Sequence, residues 1–323
     1  MRSLTLGLLC LTLTMSATAA AQDPTQLPED GSTQLNMNLT QSTLGGKQFW
    51  TDQLIYPEWR IQKNVLTSHC RLLDAKNKRQ AWGNFDQCYQ RLNELAPTDQ
   101  PRTKGRVVIA LHGLIRSRSS MAGMCAYLEE KLDCTTINMS YASTRESVAD
   151  HAAALKSVID HLPDAREIDF IAHSLGNIVI RHYLADATDE AQGHRPDPRI
   201  RRIVMLGPPN NGSQFAQRFR DNLIFRGIFG KSGQQLAEEW NTLDEHLVIP
   251  ACEFAIIAGG KQTDSGRNPL LTGDDDFVVT VDETRLPGSQ DFEVVPTLHS
   301  FLMDDPQVRQ HAVSFFKTGK FDR

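Results

Sequence analysis

The chain has 323 residues, a formal net charge of −5 and 40% hydrophobic residues. This length accommodates one large α/β core with additional elements, or two small domains. The acidic balance and the lack of a basic block give no electrostatic basis for nucleic-acid binding, so we expect no RNA or DNA partner.

The first 21 residues have the composition of a signal peptide. Arg2 precedes an apolar run, residues 4–15, that is too short to span a membrane, and small residues at 17–21 offer cleavage sites. We expect cleavage near Ala21 and export to the periplasm or the extracellular space, with an uncleaved anchor as the alternative. Residues 22–45 are mostly polar and are predicted to form a flexible lead-in.

Five cysteines remain after such a cleavage, and an exported protein meets an oxidising compartment. Pairing of nearest neighbours would join Cys70 to Cys88 and Cys125 to Cys134 and leave Cys252 over, although the sequence does not fix this connectivity. No two cysteines have the CxxC spacing of a zinc site, so we expect no metal ion.

Residues 46–104 are predicted to form an N-terminal extension of the main sheet. Residues 59–63 and 69–74 form two short β-type segments around a turn, which is typical of an antiparallel hairpin. Residues 81–95 have a helical pattern, and residues 98–102 form a polar linker.

Residues 105–323 alternate between apolar β-type runs and amphipathic segments. This alternation predicts an α/β fold with a mainly parallel sheet and helices on both of its faces. The predicted strands cover residues 106–111, 134–139, 167–172, 202–207, 252–259 and 292–296. The predicted helices cover residues 119–132, 143–162, 175–185 and 306–317.

Residues 212–250 separate two core strands and are too long for a simple crossover. The segment is rich in apolar side chains, which favours a lid or a wall for an acyl chain. A packed crossover helix without substrate contact is the alternative. The apolar residues concerned are Phe215, Phe219, Leu223, Ile224, Phe225, Ile228 and Phe229.

The segment Ala172-His-Ser174-Leu-Gly176 lies between a predicted buried strand and a predicted helix. A nucleophilic serine needs this context, because a tight strand-to-helix turn makes its hydroxyl project above the sheet. Small residues two positions before and after the serine let the strand and the helix approach closely. The alternative is a buried serine that only caps the helix.

His112 and Gly113 follow the first strand of the α/β region. A glycine at a strand end lets the backbone turn and expose N–H groups, and acyl transfer needs two such donors at the carbonyl oxygen. We assign these donors to the backbone N–H groups of Leu114 and Leu175. His112 is expected to order this loop and not to transfer protons, and a simple turn is the alternative.

A general base and a carboxylate are predicted in the last third of the chain. His299 follows the last predicted strand and precedes the closing helix, and Asp274, Asp275 and Asp276 stand before it. Serine, then aspartate, then histidine is one of the chain orders in which catalytic triads occur, and it is the order found when the serine stands on a strand-to-helix turn of an α/β sheet. A calcium loop is an alternative for the aspartates, but it lacks spaced ligands and a distal glutamate.

These motifs resemble the α/β-hydrolase lipase and esterase families, in particular small bacterial lipases with an alanine-first elbow and inositol-deacylase-like lipases. The matching segments are residues 112–114, 172–177, 206–213, 276–279 and 299–302. In these families the acid stands in Asp-Gly-x-Val. Here Asp276 to Val279 fits that register with Phe277 in place of glycine, and Asp275 is the alternative acid. The resemblance covers about residues 105–317.

The resemblance implies a serine hydrolase without a cofactor that cleaves a lipid-like ester through an acyl-enzyme. Ser174 would be the nucleophile, His299 the base and Asp276 the acid. Acyl transfer, amide hydrolysis by the same residues and an inert binding protein are alternatives, and the oligomeric state stays open. Arg116 and Arg118 are candidate contacts for an anionic head group, with a solvated helix start as the alternative.

Overall fold

The computed structural model describes residues 48–56, 59–96, 103–188 and 197–323. The predicted signal peptide and lead-in, residues 1–45, lie outside the described residues. In the described ranges, no helix has the length and hydropathy needed to cross a membrane.

The N-terminal region forms an antiparallel sheet of four strands in sequence order. The strands are β1 (Trp50–Tyr56), β2 (Trp59–Asn64), β3 (Cys70–Leu73) and β4 (Arg79–Gly83), followed by helix α1 (Phe85–Leu95). The predicted hairpin is present as β2 and β3, but its sheet is separate from the parallel sheet and does not extend it.

The helix predicted over residues 81–95 begins only at Phe85. Ala81 and Trp82 instead pair with β3. The helix start is fixed by Asn84, whose side chain accepts a hydrogen bond from the Gln87 N–H while the Gln87 side chain accepts from the Asn84 N–H. This reciprocal cap stabilises a later start than the apolar periodicity indicates.

Asp52 connects the two sheets. Its backbone N–H donates to the carbonyl of Ser140 at 2.9 Å, and its carboxylate accepts from the N–H of Ser140 at 2.7 Å. The same carboxylate is fully buried and also accepts from Arg60 at 2.7 Å and from Gln62 at 2.8 Å. A buried carboxylate needs such partners, so this junction fixes β1 beside the main sheet.

The main sheet has six strands, and every neighbouring pair is parallel. The strands are β5 (Arg106–Leu111), β6 (Thr135–Met139), β7 (Glu167–His173), β8 (Ile200–Leu206), β9 (Glu253–Gly259) and β10 (Asp291–Val295). Their order is β10-β9-β8-β7-β5-β6, so the strand order reverses around β5. In open α/β sheets, ligands bind where the order reverses, outside the carboxyl ends of the strands.

Helices cover both faces of this sheet, as predicted. The helices packed on it include α2 (Ala122–Lys131), α3 (Val148–Asp160), α4 (Leu175–Ala187) and α9 (Pro306–Thr318). Strand β5 shows why both faces are buried: Val107 and Ile109 belong to the core that includes α3 and α4, whereas Val108 and Ala110 belong to the core that includes α2 and α9.

Helix α3 begins at Val148, five residues after the predicted start at residue 143. Ser147 accepts a hydrogen bond from the Asp150 N–H and caps the helix. Ser143 is used elsewhere, because its hydroxyl accepts a hydrogen bond at 3.1 Å from the N–H of Ile115 in the loop after β5.

The segment of residues 212–250 contains three helices. They are α5 (Gln214–Arg218), α6 (Leu223–Ala237) and α7 (Trp240–His246), and the short helix α8 (Val281–Thr284) follows later in the chain. Helix α6 is interrupted at Gly230, whose φ of 61° is left-handed. The added Cβ of any other residue would lie 1.7 Å from the Thr144 carbonyl oxygen, so only glycine fits this approach.

The nearest-neighbour cysteine pairing is not formed. All five cysteines of the described residues are free thiols, and four of them are buried. Cys70 and Cys88 pack in the core of the N-terminal sheet, and Cys125 on α2 and Cys134 before β6 pack in the core that includes α2 and α9. They therefore act as small apolar core residues, which is common for free cysteines.

Candidate active site

Ser174 stands at a strained turn between β7 and α4. Its backbone has φ 53° and ψ −120°, a conformation that L residues rarely adopt. Its N–H donates to the Leu206 carbonyl at 2.9 Å, and the buried Asn177 side chain donates to the carbonyls of Ala172 and Ser174, each at 3.1 Å. These bonds hold the turn, so Ser174 is fixed at the carboxyl end of the sheet.

Gly176 lets α4 approach β5 closely. A Cβ at this position would lie 2.9 Å from the Cβ of Leu111 and 3.0 Å from its carbonyl oxygen. Residue 176 must therefore be glycine for the start of α4 to lie against the end of β5. This close approach brings the loop after β5 beside Ser174.

Two backbone N–H groups near Ser174 have no acceptor within the described ranges. They belong to Leu114, in the loop after β5, and to Leu175, the first residue of α4. Ile115 has a left-handed φ of 63°, so the chain turns sharply directly after Leu114. Unpaired N–H groups at a helix start attract an oxygen that gains negative charge.

His112 is fully buried and orders the loop after β5. Its Nδ1 lies 2.9 Å from the Gly113 carbonyl oxygen, and its Nε2 accepts from the N–H of Tyr141 at 3.4 Å. The Tyr141 hydroxyl donates to the His112 carbonyl, and the two rings stack at 4.2 Å. Burial lowers the pKa of His112 to about 4, so the ring is neutral near pH 7.

The structure brings His299 and Asp276 into direct contact. The His299 Nδ1 lies 2.7 Å from Asp276 Oδ2, and both side chains are buried. The other Asp276 oxygen accepts from the N–H groups of Val278 at 3.0 Å and Val279 at 2.8 Å. The histidine lies in the 3₁₀ turn His299–Asp304, directly after β10.

Asp275, the alternative acid, has a different set of partners. Its carboxylate accepts from the N–H groups of Asn268 at 3.0 Å and Phe277 at 2.7 Å. It therefore holds the loop that carries Asp276. Asp274 accepts from the N–H groups of Lys261 and Gln262, so the carboxylates of these two aspartates bind backbone N–H groups, whereas that of Asp276 meets His299.

Phe277 occupies the position at which the related motif has glycine. Its φ is 88°, in the left-handed region that favours glycine, so the phenylalanine is strained there. Its side chain is 51% exposed and lines the cavity described below. Residue 277 thus has a backbone conformation typical of glycine although it is a phenylalanine.

His173 is a site residue that the sequence analysis did not assign. Its Nε2 lies 2.9 Å from the His299 carbonyl oxygen and must carry the donated proton. Burial, followed by the nearby His299, holds the pKa of His173 well below its usual range, so the ring is neutral. The only sequence signal is its place directly before Ser174, and this does not specify a partner 126 residues away.

A cavity of about 500 Å³ opens onto Ser174 and His299. The predicted insert contributes part of its wall through α5 and α6, so the insert is not a crossover remote from Ser174. Arg116 lines the cavity and donates to the Ser300 carbonyl at 3.2 Å, whereas Arg118 donates to Asn77. The apolar lining residues are Leu114, Ile115, Pro209, Phe215, Ala216, Phe229, Leu236, Phe277, Val278 and Val279.

Comparison with known proteins supports the fold. Residues 76–226 match a family described as "Domain of unknown function (DUF7379)". No curated protein is significantly similar in sequence.

The mature lipase BlEst2 of Bacillus licheniformis superposes with a TM-score of 0.51 at 17% identity, covering 70% of this chain and 96% of that one. Its propeptide form gives a TM-score of 0.50 at 18% identity, covering 70% and 53%. The lin2722 gene product of Listeria innocua gives a TM-score of 0.46 at 18% identity, covering 67% and 95%. The chain has the α/β-hydrolase fold, as its motifs predicted.

Proposed function

We propose that this protein is a serine hydrolase that cleaves carboxylic esters through an acyl-enzyme on Ser174. One observation carries the proposal. The strained Ser174 turn lines the same cavity as His299. The Nδ1 atom of His299 lies 2.7 Å from Oδ2 of the buried Asp276, which leaves Nε2 for Ser174. A nucleophile, a base and an orienting acid around one cavity are the components of acyl transfer.

In the first half of the proposed reaction, each group has one role. His299 Nε2 takes the proton of the Ser174 hydroxyl as its oxygen attacks the ester carbonyl carbon. Asp276 holds the Nδ1 proton of His299 and stabilises the imidazolium that forms. The N–H groups of Leu114 and Leu175 bind the oxyanion, and they are free to do so because neither has another acceptor in the described chain.

The second half of the reaction uses the same groups. The imidazolium of His299 gives its proton to the alkoxide oxygen as the C–O bond breaks, and the alcohol leaves. His299 then takes a proton from water, whose oxygen attacks the acyl-enzyme, and Ser174 regains its proton as the acid is released. No metal ion or organic cofactor takes part in this scheme.

The lining of the cavity supports a lipid-like acyl group as substrate. Ten of its side chains are apolar: they come from the loop after β5, the insert and the Asp276 loop, with Pro209 after β8. An alkyl chain in contact with them is removed from water, and this burial contributes about 25 cal/mol of favourable free energy per Å² of apolar surface. Arg116 is the cationic residue of this lining and is available to an anionic head group.

A fluorophosphonate probe and a p-nitrophenyl ester series test the proposal. We expect the wild type to be labelled and to cleave esters, and S174A to lose both properties. S300A is the matched control, because Ser300 lines the same cavity and follows His299 in sequence. Equal labelling and rates in wild type and S174A would reject the proposal, and acetyl esters cleaved much faster than octanoyl esters would reject only the lipid-like substrate.

Acyl transfer to an alcohol is the second reaction open to these residues. Product analysis with a competing alcohol separates the two outcomes, since hydrolysis yields the free acid and transfer yields a new ester.

We also propose that the protein is exported, from the composition of residues 1–21. N-terminal sequencing of the secreted chain should begin near Gln22, and an intact Met1 in the cytoplasmic fraction would contradict export.

A further inference from the structure

A cluster of metal-binding side chains lies away from the cavity, where the carboxyl end of α4 meets the end of α7. His182 and Asp186 are four residues apart on α4, so both side chains lie on one face of the helix. His246 is the last residue of α7 and lies opposite them. Across the described ranges, this is one group of three His, Cys, Asp or Glu side chains whose ligand atoms lie within 4.8 Å of one another.

The three side chains are already in mutual contact. His182 Nδ1 lies 3.0 Å from Asp186 Oδ2, and His246 Nε2 lies 2.8 Å from Asp186 Oδ1. The two imidazole rings are 4.3 Å apart between centroids. His182 is only 11% exposed, whereas Asp186 and His246 are 40% and 48% exposed, so solvent reaches one side of the cluster.

We propose that His182, Asp186 and His246 bind a divalent transition-metal ion, with Zn²⁺ as the best fit. Two imidazole nitrogens and one carboxylate are typical zinc ligands, and the open side leaves the fourth position to water. Ligand atoms about 2.0 Å from a tetrahedral zinc lie about 3.3 Å from one another. The observed contacts of 3.0 and 2.8 Å therefore need to lengthen by only a few tenths of an ångström.

Binding requires the two imidazole rings to change their tautomers, and no other chemical change in the side chains is needed. His182 Nδ1 and His246 Nε2 must present lone pairs to the metal, so each neutral ring carries its proton on the other nitrogen. Asp186 then exchanges its hydrogen bonds to His182 and His246 for a bond to the metal. The lack of a cysteine pair with CxxC spacing predicted no metal ion, and this proposal departs from that expectation: the spacing concerns cysteine ligands and does not bear on two histidines and a carboxylate.

The metal would join α4, the helix after Ser174, to α7 at the end of the insert. Helix α4 begins directly after Ser174, and α7 closes the insert whose earlier helices line the cavity. Arg181 already connects these parts, because its guanidinium donates to the Val248 carbonyl at 3.0 Å and lies 3.8 Å from Asp244. A metal crosslink beside Arg181 would fix the insert on the nucleophile helix, so its role is structural and independent of the ester reaction.

The test is zinc titration of the chelator-treated full-length protein by calorimetry, together with thermal unfolding with and without Zn²⁺. We expect the wild type to bind one equivalent that H246A and D186N do not bind. At zinc concentrations about 100 times the Kd, the wild-type Tm should rise by about 5 °C, and the variants should not respond. H161A is the matched control, because His161 is a half-buried histidine outside the cluster and should leave zinc binding unchanged.

X-ray absorption at the zinc edge identifies the ligands. We expect a shell of nitrogen and oxygen atoms that includes two imidazoles, and the two-imidazole signal should disappear in H246A. Equal zinc binding by the wild type, H246A and D186N would overturn the proposal, as would sulfur ligands. Because His246 takes no part in the proposed ester reaction, active H246A that lacks zinc binding separates this inference from the function proposed above.

Discussion

His299 is held by Asp276 at two points. The side chains meet at 2.7 Å between Nδ1 and Oδ2, and the His299 N–H donates to the Asp276 carbonyl at 2.9 Å. The loop before Asp276 and the turn after β10 are therefore joined through both backbone and side chains. The ring can change its contacts only if this junction opens.

Replacement of Asp276 by asparagine should lower kcat strongly and leave KM nearly unchanged. An amide at this position donates to Nδ1, so the proton moves to Nε2 and the base loses the lone pair that it needs. We expect kcat on a p-nitrophenyl ester to fall by about 10³- to 10⁴-fold. The measurement is steady-state kinetics, with circular dichroism to show that D276N is folded.

D274N is the matched control for this change. Asp274 is two residues away, and its carboxylate accepts from the backbone N–H groups of Lys261 and Gln262. We expect its kcat to stay within a few-fold of the wild type. More than a tenth of wild-type activity in D276N would show that another group orients His299.

Two substitutions of Phe277 separate backbone strain from substrate contact. Phe277→Gly relieves the strain at φ 88° and should raise the free energy of unfolding by about 1 kcal/mol. Phe277→Ala keeps the strained backbone, so it should bring no such gain. Both changes remove the exposed ring from the cavity lining and should raise KM for octanoyl esters more than for acetyl esters.

Urea unfolding and the ester series measure these two effects for the Phe277 variants. Equal stability of the glycine and alanine variants would show that the strain is negligible. Unchanged selectivity in both variants would show that the ring does not contact the acyl chain.

Gly176→Ala should destabilise the protein. The new methyl group would meet the Leu111 Cβ at 2.9 Å and its carbonyl oxygen at 3.0 Å, so α4 must shift away from β5. We expect a loss of about 1–3 kcal/mol in the free energy of unfolding, measured by urea denaturation. Gly227→Ala in α6 is the control, because nothing lies within 4 Å of its added Cβ and alanine favours a helix. A stable G176A would show that the approach of α4 to β5 can relax.

Stability should fall as the pH decreases from about 6.5. Burial, followed by the nearby His112, lowers the pKa of His151 from 6.5 to about 3, and burial lowers that of His112 to about 4. Between these values and 6.5 the unfolded chain binds protons that the folded chain does not. The stabilisation is therefore complete above 6.5 and decreases below it, by up to about 1.4 kcal/mol per pH unit for each histidine.

Urea unfolding at pH 7.5, 6.5 and 5.5 checks this dependence. H151Q should show a smaller loss than the wild type. The measurements stay above pH 5 because of two glutamates. Burial raises the pKa of Glu146 and Glu283, so these carboxyl groups add stability as the pH falls through their titration range and would offset the loss from the histidines. An identical pH dependence of wild type and H151Q would contradict the assignment to His151.

Local sequence patterns predicted most core elements within a few residues, including β5, β7, α4 and α9. Their apolar periods and lengths differ clearly between buried strands and amphipathic helices, and each pattern is contained in one short segment. The wrong predictions lie where the outcome depends on contacts outside the local segment. Residues 81–82 join a strand because β3 is available to pair with them, and the N-terminal strands form a sheet of their own that is bonded to the main sheet region through Asp52 and Ser140.

The sequence by itself determined the α/β class, the turn at Ser174 and the late position of His299, because each depends on residues close together in the chain. Only the tertiary structure decided which of three adjacent aspartates meets His299, since that depends on a loop folding back over 23 residues. It also showed that His173 supports His299, that Phe277 has a glycine-like backbone, and that His182, Asp186 and His246 come together. Contacts between segments distant in sequence depend on packing, and a linear pattern carries no direct signal of them.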